Sequence, residues 1–114
     1  MAVTNVKKVY SVLNDGTNIT ETSVTGDFAV DMTGADYKTA IMFRNAGASE
    51  AKVTIPVGDG IQGVGDDVAF SVAGSATAVV VVDSGAYKHV SGDNKGKLVG
   101  KTTAELKVSA VELP

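Results

Sequence analysis

Apolar and polar positions alternate most cleanly from Lys52 to Val57, where Val53, Ile55 and Val57 fall on one face of an extended strand and Lys52, Thr54 and Pro56 on the other. Pro56 has no N–H to give, so this strand is expected at an edge there, or paired on one side only. The same period runs from Gly26, with Phe28, Val30 and Met32 against Ala29, Asp31 and Thr33, and again in Val68, Phe70 and Val72. Tyr37 to Arg44 is apolar on both faces at Ile41-Met42-Phe43, which fits a strand flanked on either side. The densest stretch is Thr77 to Asp83, with four successive valines. Because side chains alternate, four valines in a row predict a central strand covered on both faces, the outer cover being residues 1–25 or another subunit. The short Gly74-Ser75 connection predicts that this strand pairs antiparallel with residues 68–72.

Further on, Tyr87 to Val90, Lys97 to Lys101 and Glu105 to Leu113 read as strands, with a polar turn at Ser91-Gly92-Asp93-Asn94. In the last of them Leu106, Val108 and Ala110 set one phase and Val111 and Leu113 the other. A one-residue phase change is what a β-bulge, or a strand passing between sheets, produces. About eight short strands at this spacing predict an all-β fold, an antiparallel β-sandwich, with a small closed β-barrel as the alternative.

Residues 1–25 form a segment apart from the sandwich domain predicted over 26–114. Val6, Val9, Tyr10 and Leu13 have helical spacing, yet Val9, Ser11 and Leu13 alternate with Tyr10 and Val12, so neither period fits well. Asn14-Asp15-Gly16 marks a turn, and Thr20 to Thr25 is rich in hydroxyls. Two readings stand: an edge strand with a surface loop, or an arm that orders on a partner.

Composition narrows the chemistry. At 114 residues one core is expected. Net charge is −3 and the ten basic residues are scattered, which argues against nucleic acid as the main partner. Cysteine is absent, so the core must hold without disulfides or thiolate metal sites. The N-terminus lacks the pattern of a secretory signal and no apolar run has the length of a membrane span, so synthesis in the cytoplasm and no membrane partner are expected.

Catalytic groups are sparse. His89 is the single histidine, and no Gly-x-Ser-x-Gly elbow occurs. Gly58 to Gly63 matches Gly-x-Gly-x-x-Gly, but Gly65-Asp66-Asp67 and an alternating strand follow where a dinucleotide site needs a helix. Asp59, Asp66 and Asp67 lack EF-hand spacing and read as solvated turn residues. The expectation is a protein without enzymatic activity, cofactor or metal.

With the strands placed, Phe43-Arg44-Asn45-Ala46-Gly47, Ala51 to Gly63, Asp67 to Gly74, the valine run, Ser84 to Lys88 and the closing Val111-Glu112-Leu113-Pro114 resemble small accessory virion proteins of tailed bacteriophages. Among these are head-decoration (cement) proteins with immunoglobulin-like sandwich domains. The resemblance implies a virion protein made in the host cytoplasm, bound to the major capsid protein on the outside of the shell. It also implies a homo-oligomer, with a trimer favoured. On this reading Val3, Val6, Tyr10 and Val12 make capsid or subunit contacts, with Asp59, Ile61 and Gln62 of the 58–67 loop as a second contact. The alternative is an immunoglobulin-like binding module of a phage tail or cell surface that recognises a host glycan or protein.

Overall fold

The computed structural model describes residues 3–32, 38–58, 67–82, 87–89, 92 and 95–113. It is all-β, with eight strands: β1 (Thr4–Val6), β2 (Lys8–Tyr10), β3 (Thr22–Asp31), β4 (Thr39–Arg44), β5 (Ala51–Ile55), β6 (Val68–Val72), β7 (Thr77–Val81) and β8 (Lys97–Glu112). The sheet is open, so the closed barrel is not the architecture. The two N-terminal strands pair in parallel, β1 with β3 and β2 with β8, and all other pairs are antiparallel.

The central strand is β8. Along one edge it carries β3 and then β2; along the other, β5 meets it at Thr102 and Lys101, and β4 from Lys107 to Glu112. Beyond β5 lies β6, and beyond β4 lies β7. The spine therefore carries two wings, β5-β6 and β4-β7, whose inner faces share one core. Phe28 of β3 meets Phe43 of β4 edge-on at 5.7 Å between centroids, and Phe43 meets Phe70 of β6 at 5.4 Å. These three rings link the spine-side strand to both wings.

The irregularity expected at Ala110/Val111 occurs elsewhere. Between Val24↔Leu106 and Gly26↔Thr102, β3 advances two residues while β8 covers four. Two extra residues leave the phase intact, so Leu98, Gly100, Thr102, Leu106, Val108 and Ala110 are all buried. The wings part at this bulge. Gly26 opposite it has φ 89°, a conformation that suits glycine. The Thr102 hydroxyl and the Ala104 backbone hydrogen-bond across it, and Thr103 Oγ1 accepts the Lys52 N–H at 2.9 Å. What looked like a weak strand and a final strand is one strand of 16 residues.

Two more expectations need correction. The valine stretch is not central: β7 pairs with β4 alone among the described residues and forms the edge of its wing. Val80 and Val82 turn toward the core, while Val79 is 64% and Val81 49% exposed. A run apolar in both phases does not reveal which phase is covered. Nor does the 74–75 turn make a hairpin, because β6 pairs with β5 and β7 with β4.

The turn instead carries the chain from one wing to the other, alongside the 45–50 connection that does the same. Asn45 N–H donates to Ala76 O at 2.9 Å and Ser75 N–H to Gly47 O at 3.0 Å. A Cβ on Gly74 would stand 2.3 Å from Ala48 O, so the two connections touch backbone to backbone. The flanked strand expected over Tyr37 to Arg44 is β4 from Thr39, which lies between β8 and β7; Tyr37 itself lies outside the described residues. The hydroxyl-rich stretch before Gly26 is already strand from Thr22, anchored by fully buried Val24.

Candidate interaction surface

The N-terminal residues named from sequence separate by register. Val6 pairs with Val30 of β3 and sits in the core at 3% exposure, so it offers no surface while the sheet is formed. Val3, one residue before β1, is half-buried. Tyr10 and Val12 are each more than half exposed, and so is Leu13. Asp59, Ile61 and Gln62 lie outside the described residues, as does Asp66. Asp67 accepts the Val57 N–H at 3.3 Å through Oδ1.

The exposed apolar residues near the N-terminus are held where β2 and β8 end together. Tyr10 is opposite Glu112, Ser11 N–H donates to Glu112 O at 3.0 Å, and the Ser11 hydroxyl donates to the same oxygen at 2.9 Å. Leu113, also exposed, follows directly and its N–H donates to Lys38 O. A turn then closes from Asp15 N–H to Val12 O, with Asn14 at φ 62°. Tyr10, Val12, Leu13 and Leu113 thus mark one end of the molecule with apolar side chains.

Beneath them lies a charged pair. Lys8 Nζ is 2.9 Å from Glu112 Oε1, with the lysine side chain 2% exposed, and the ammonium stands 5.1 Å from the Tyr10 ring centroid. The alternation that sends Val6 and Lys8 inward places Tyr10 at the strand's exit, where its ring covers the ammonium.

A second surface is the outer face of the β4-β7 wing. Register sets Val111, Ala40 and Val81 in one row and Ser109, Met42 and Val79 in the next. A shallow hollow of about 260 Å³ opens here among Ile19, Met42, Arg44, Thr77 and Ser109. Its charged rim is closed by a two-pronged pair, Arg44 Nε to Glu21 Oε2 and Nη2 to Oε1, both 2.8 Å. The guanidinium hydrogen bond holds the Glu21 carboxyl below the usual carboxylate range, and the carboxylate raises Arg44 in turn.

His89 is held through its backbone, donating to Lys97 O at 2.8 Å and accepting from Gly96 N–H at 2.7 Å. Among the described residues, no three or more His, Cys, Asp or Glu side chains gather as a metal site requires. The residues that sequence reasoning passed over are Leu13, Leu113, Ile19, Val79 and Val81. Val79 and Val81 carried no signal of their own, because the run is apolar in both phases; Leu13 and Leu113 each continue an apolar pattern beside a turn, which does not say that they are exposed.

Comparison of the chain with protein-family models, curated proteins and solved structures finds no match.

Proposed function

We propose that the chain is a structural virion protein that decorates the outside of a tailed-phage capsid and stabilises it by non-covalent adhesion. Two things support this reading: the resemblance of residues 41–90 to head-decoration proteins, and the apolar end formed by Tyr10, Val12, Leu13 and Leu113. The second carries it, because large apolar side chains gathered at one end are what a partner surface covers. Each copy buries a modest interface, and the symmetry of a shell multiplies it.

Because β1 and β2 belong to the sheet, deleting the N-terminal residues would damage the fold and say little about binding. Substituting the exposed side chains avoids that. The triple variant Tyr10→Ser, Val12→Ser, Leu13→Ser is expected to keep its fold by circular dichroism and to lose co-sedimentation with empty shells of the phage that encodes it. Co-sedimentation equal to the parent protein's removes this end from the contact; a parent protein that does not bind shells removes the reading itself.

A further inference from the structure

The phase of β7 can be read from one hydrogen bond. Asn45 N–H donates to Ala76 O, which makes 45/76, 43/78 and 41/80 the pairs that exchange hydrogen bonds between β4 and β7. Ala78 and Val80 therefore turn their backbone groups toward β4. Thr77, Val79 and Val81 turn both N–H and C=O toward the open edge, and no strand receives them among the described residues. The side chains of these same three residues are the exposed ones of β7.

Soluble proteins usually guard such an edge with lysine, proline, a bulge or a very short strand. β7 has Thr-Ala-Val-Val-Val over five residues, with unbroken register against β4. We propose that this edge seats a second copy of the chain, with β7 pairing antiparallel to β7 about a two-fold axis at Val79.

That axis sets Val79 opposite Val79 and Thr77 opposite Val81 in both directions. Every outward-facing residue then meets an outward-facing residue, and each such pair exchanges two hydrogen bonds. β-Branched side chains lie opposite one another across the joint, a favourable cross-strand pairing. Charge is also compatible with self-pairing. The strand carries none, and the nearest cation on the outer face, Arg44, is held by Glu21, so two copies of a chain with net charge −3 meet without like charges at the axis. A partner recognised by charge has nothing to read here.

Contact area sets the strength. Five residues give an edge of roughly 17 Å, and a single strand of that length covers only part of the roughly 800 Å² that each partner buries in a stable interface, so the dimer is weak and concentration-dependent. This contact stands apart from capsid adhesion and does not depend on it; a two-fold joint links pairs of copies, whatever assembly the shell imposes.

The test is sedimentation velocity on the full chain from micromolar to millimolar concentration, with a monomer giving way to a dimer as the expected result. Val79→Lys puts a charge at the axis on an exposed position; it is expected to weaken association roughly tenfold or more while leaving the unfolding midpoint unchanged. Because the chain has no cysteine, single cysteines report the register. Val79→Cys is expected to form a disulfide-linked dimer on mild oxidation, since hydrogen-bonded antiparallel pairs have Cα atoms about 5.5 Å apart. Thr77→Cys and Val81→Cys are expected to cross-link when mixed and not alone. A chain that stays monomeric throughout, association that Val79→Lys leaves intact, or Thr77→Cys linking to itself while Val79→Cys does not, each overturns the proposal.

Discussion

The Asn45 side chain reaches from the end of β4 to the end of β6, its amide donating to Val72 O at 3.0 Å and to Ser49 O at 2.7 Å while Oδ1 accepts the Gly47 N–H at 3.0 Å. One buried side chain thereby ties together the two connections that cross between the wings.

Replacing Asn45 with Leu would strand two carbonyls and one N–H at a site that is 3% exposed. Leaving buried polar groups unpaired costs about 1–3 kcal/mol each, less whatever water recovers, so a loss of about 2–4 kcal/mol is expected. Asn45→Asp keeps the acceptor for Gly47 but points a carboxylate at two carbonyl oxygens, and should be no better at neutral pH. Urea unfolding midpoints for the two variants check this.

Gly100 of β8 lies against the Phe28 ring: a Cβ there would stand 2.7 Å from Phe28 Cζ and 3.0 Å from Thr54 O. Phe28 is fully buried and in contact with Phe43, so it has little room to withdraw. Gly100→Ala is expected to destabilise by about 1–3 kcal/mol, the usual cost of overpacking. Gly16→Ala is the control, since nothing lies within 4 Å of its Cβ position. It should be neutral, or stabilise by up to about 1 kcal/mol by narrowing the unfolded ensemble. Thermal unfolding of the two variants separates a steric glycine from an ordinary one.

How far the sequence could be read follows from the same physics. Alternation located β3, β5 and β6 and their inward residues, because one phase was apolar and the other polar. It located β4 as a flanked strand, because Ile41-Met42-Phe43 is apolar in both phases and both neighbours are there. The identical argument applied to Thr77–Asp83 misled, since β-branched residues suit an exposed edge as well as a covered centre. Pairing partners were not legible: a short turn fits a hairpin and a wing-crossing connection equally, and the choice rests on Asn45 and Gly74 meeting residues distant in sequence. Of the interaction surface, Tyr10 and Val12 were legible as apolar residues in a segment of poor periodicity. Val6 was not separable from them until β1 was set in register with β3.

Lys8 and Glu112 offer a third measurement. Removing the carboxylate leaves a nearly fully buried ammonium without that partner, whereas removing the ammonium leaves a carboxylate that reaches solvent, at 2% and 17% exposure respectively. Glu112→Ala is expected to cost about 1–3 kcal/mol, because the ammonium loses one charged hydrogen bond and keeps the Tyr10 ring over it, and Lys8→Met distinctly less, because a flexible apolar chain fills the lysine's path without a charge to desolvate. The ordering of the two midpoints decides it; equal losses would mean that the pair acts through packing alone.

Glu21 and Arg44 predict a pH dependence of defined sign. The hydrogen bond from Arg44 lowers the Glu21 pKa from its ordinary value of 4.5. A group whose folded pKa is depressed binds fewer protons in the folded state, so its contribution is fully present above the unfolded value and is lost as pH falls through the folded one. Both side chains are substantially exposed, so the contribution is small and screened by salt. Glu21→Gln should therefore lie slightly below the parent protein in urea midpoint at pH 7 in low salt. The gap should close under strong acid and should shrink in high salt at pH 7. A gap that persists unchanged in acid would show that the glutamine acts by altering the hollow around Met42 and Ile19, and that the carboxylate's charge contributes nothing.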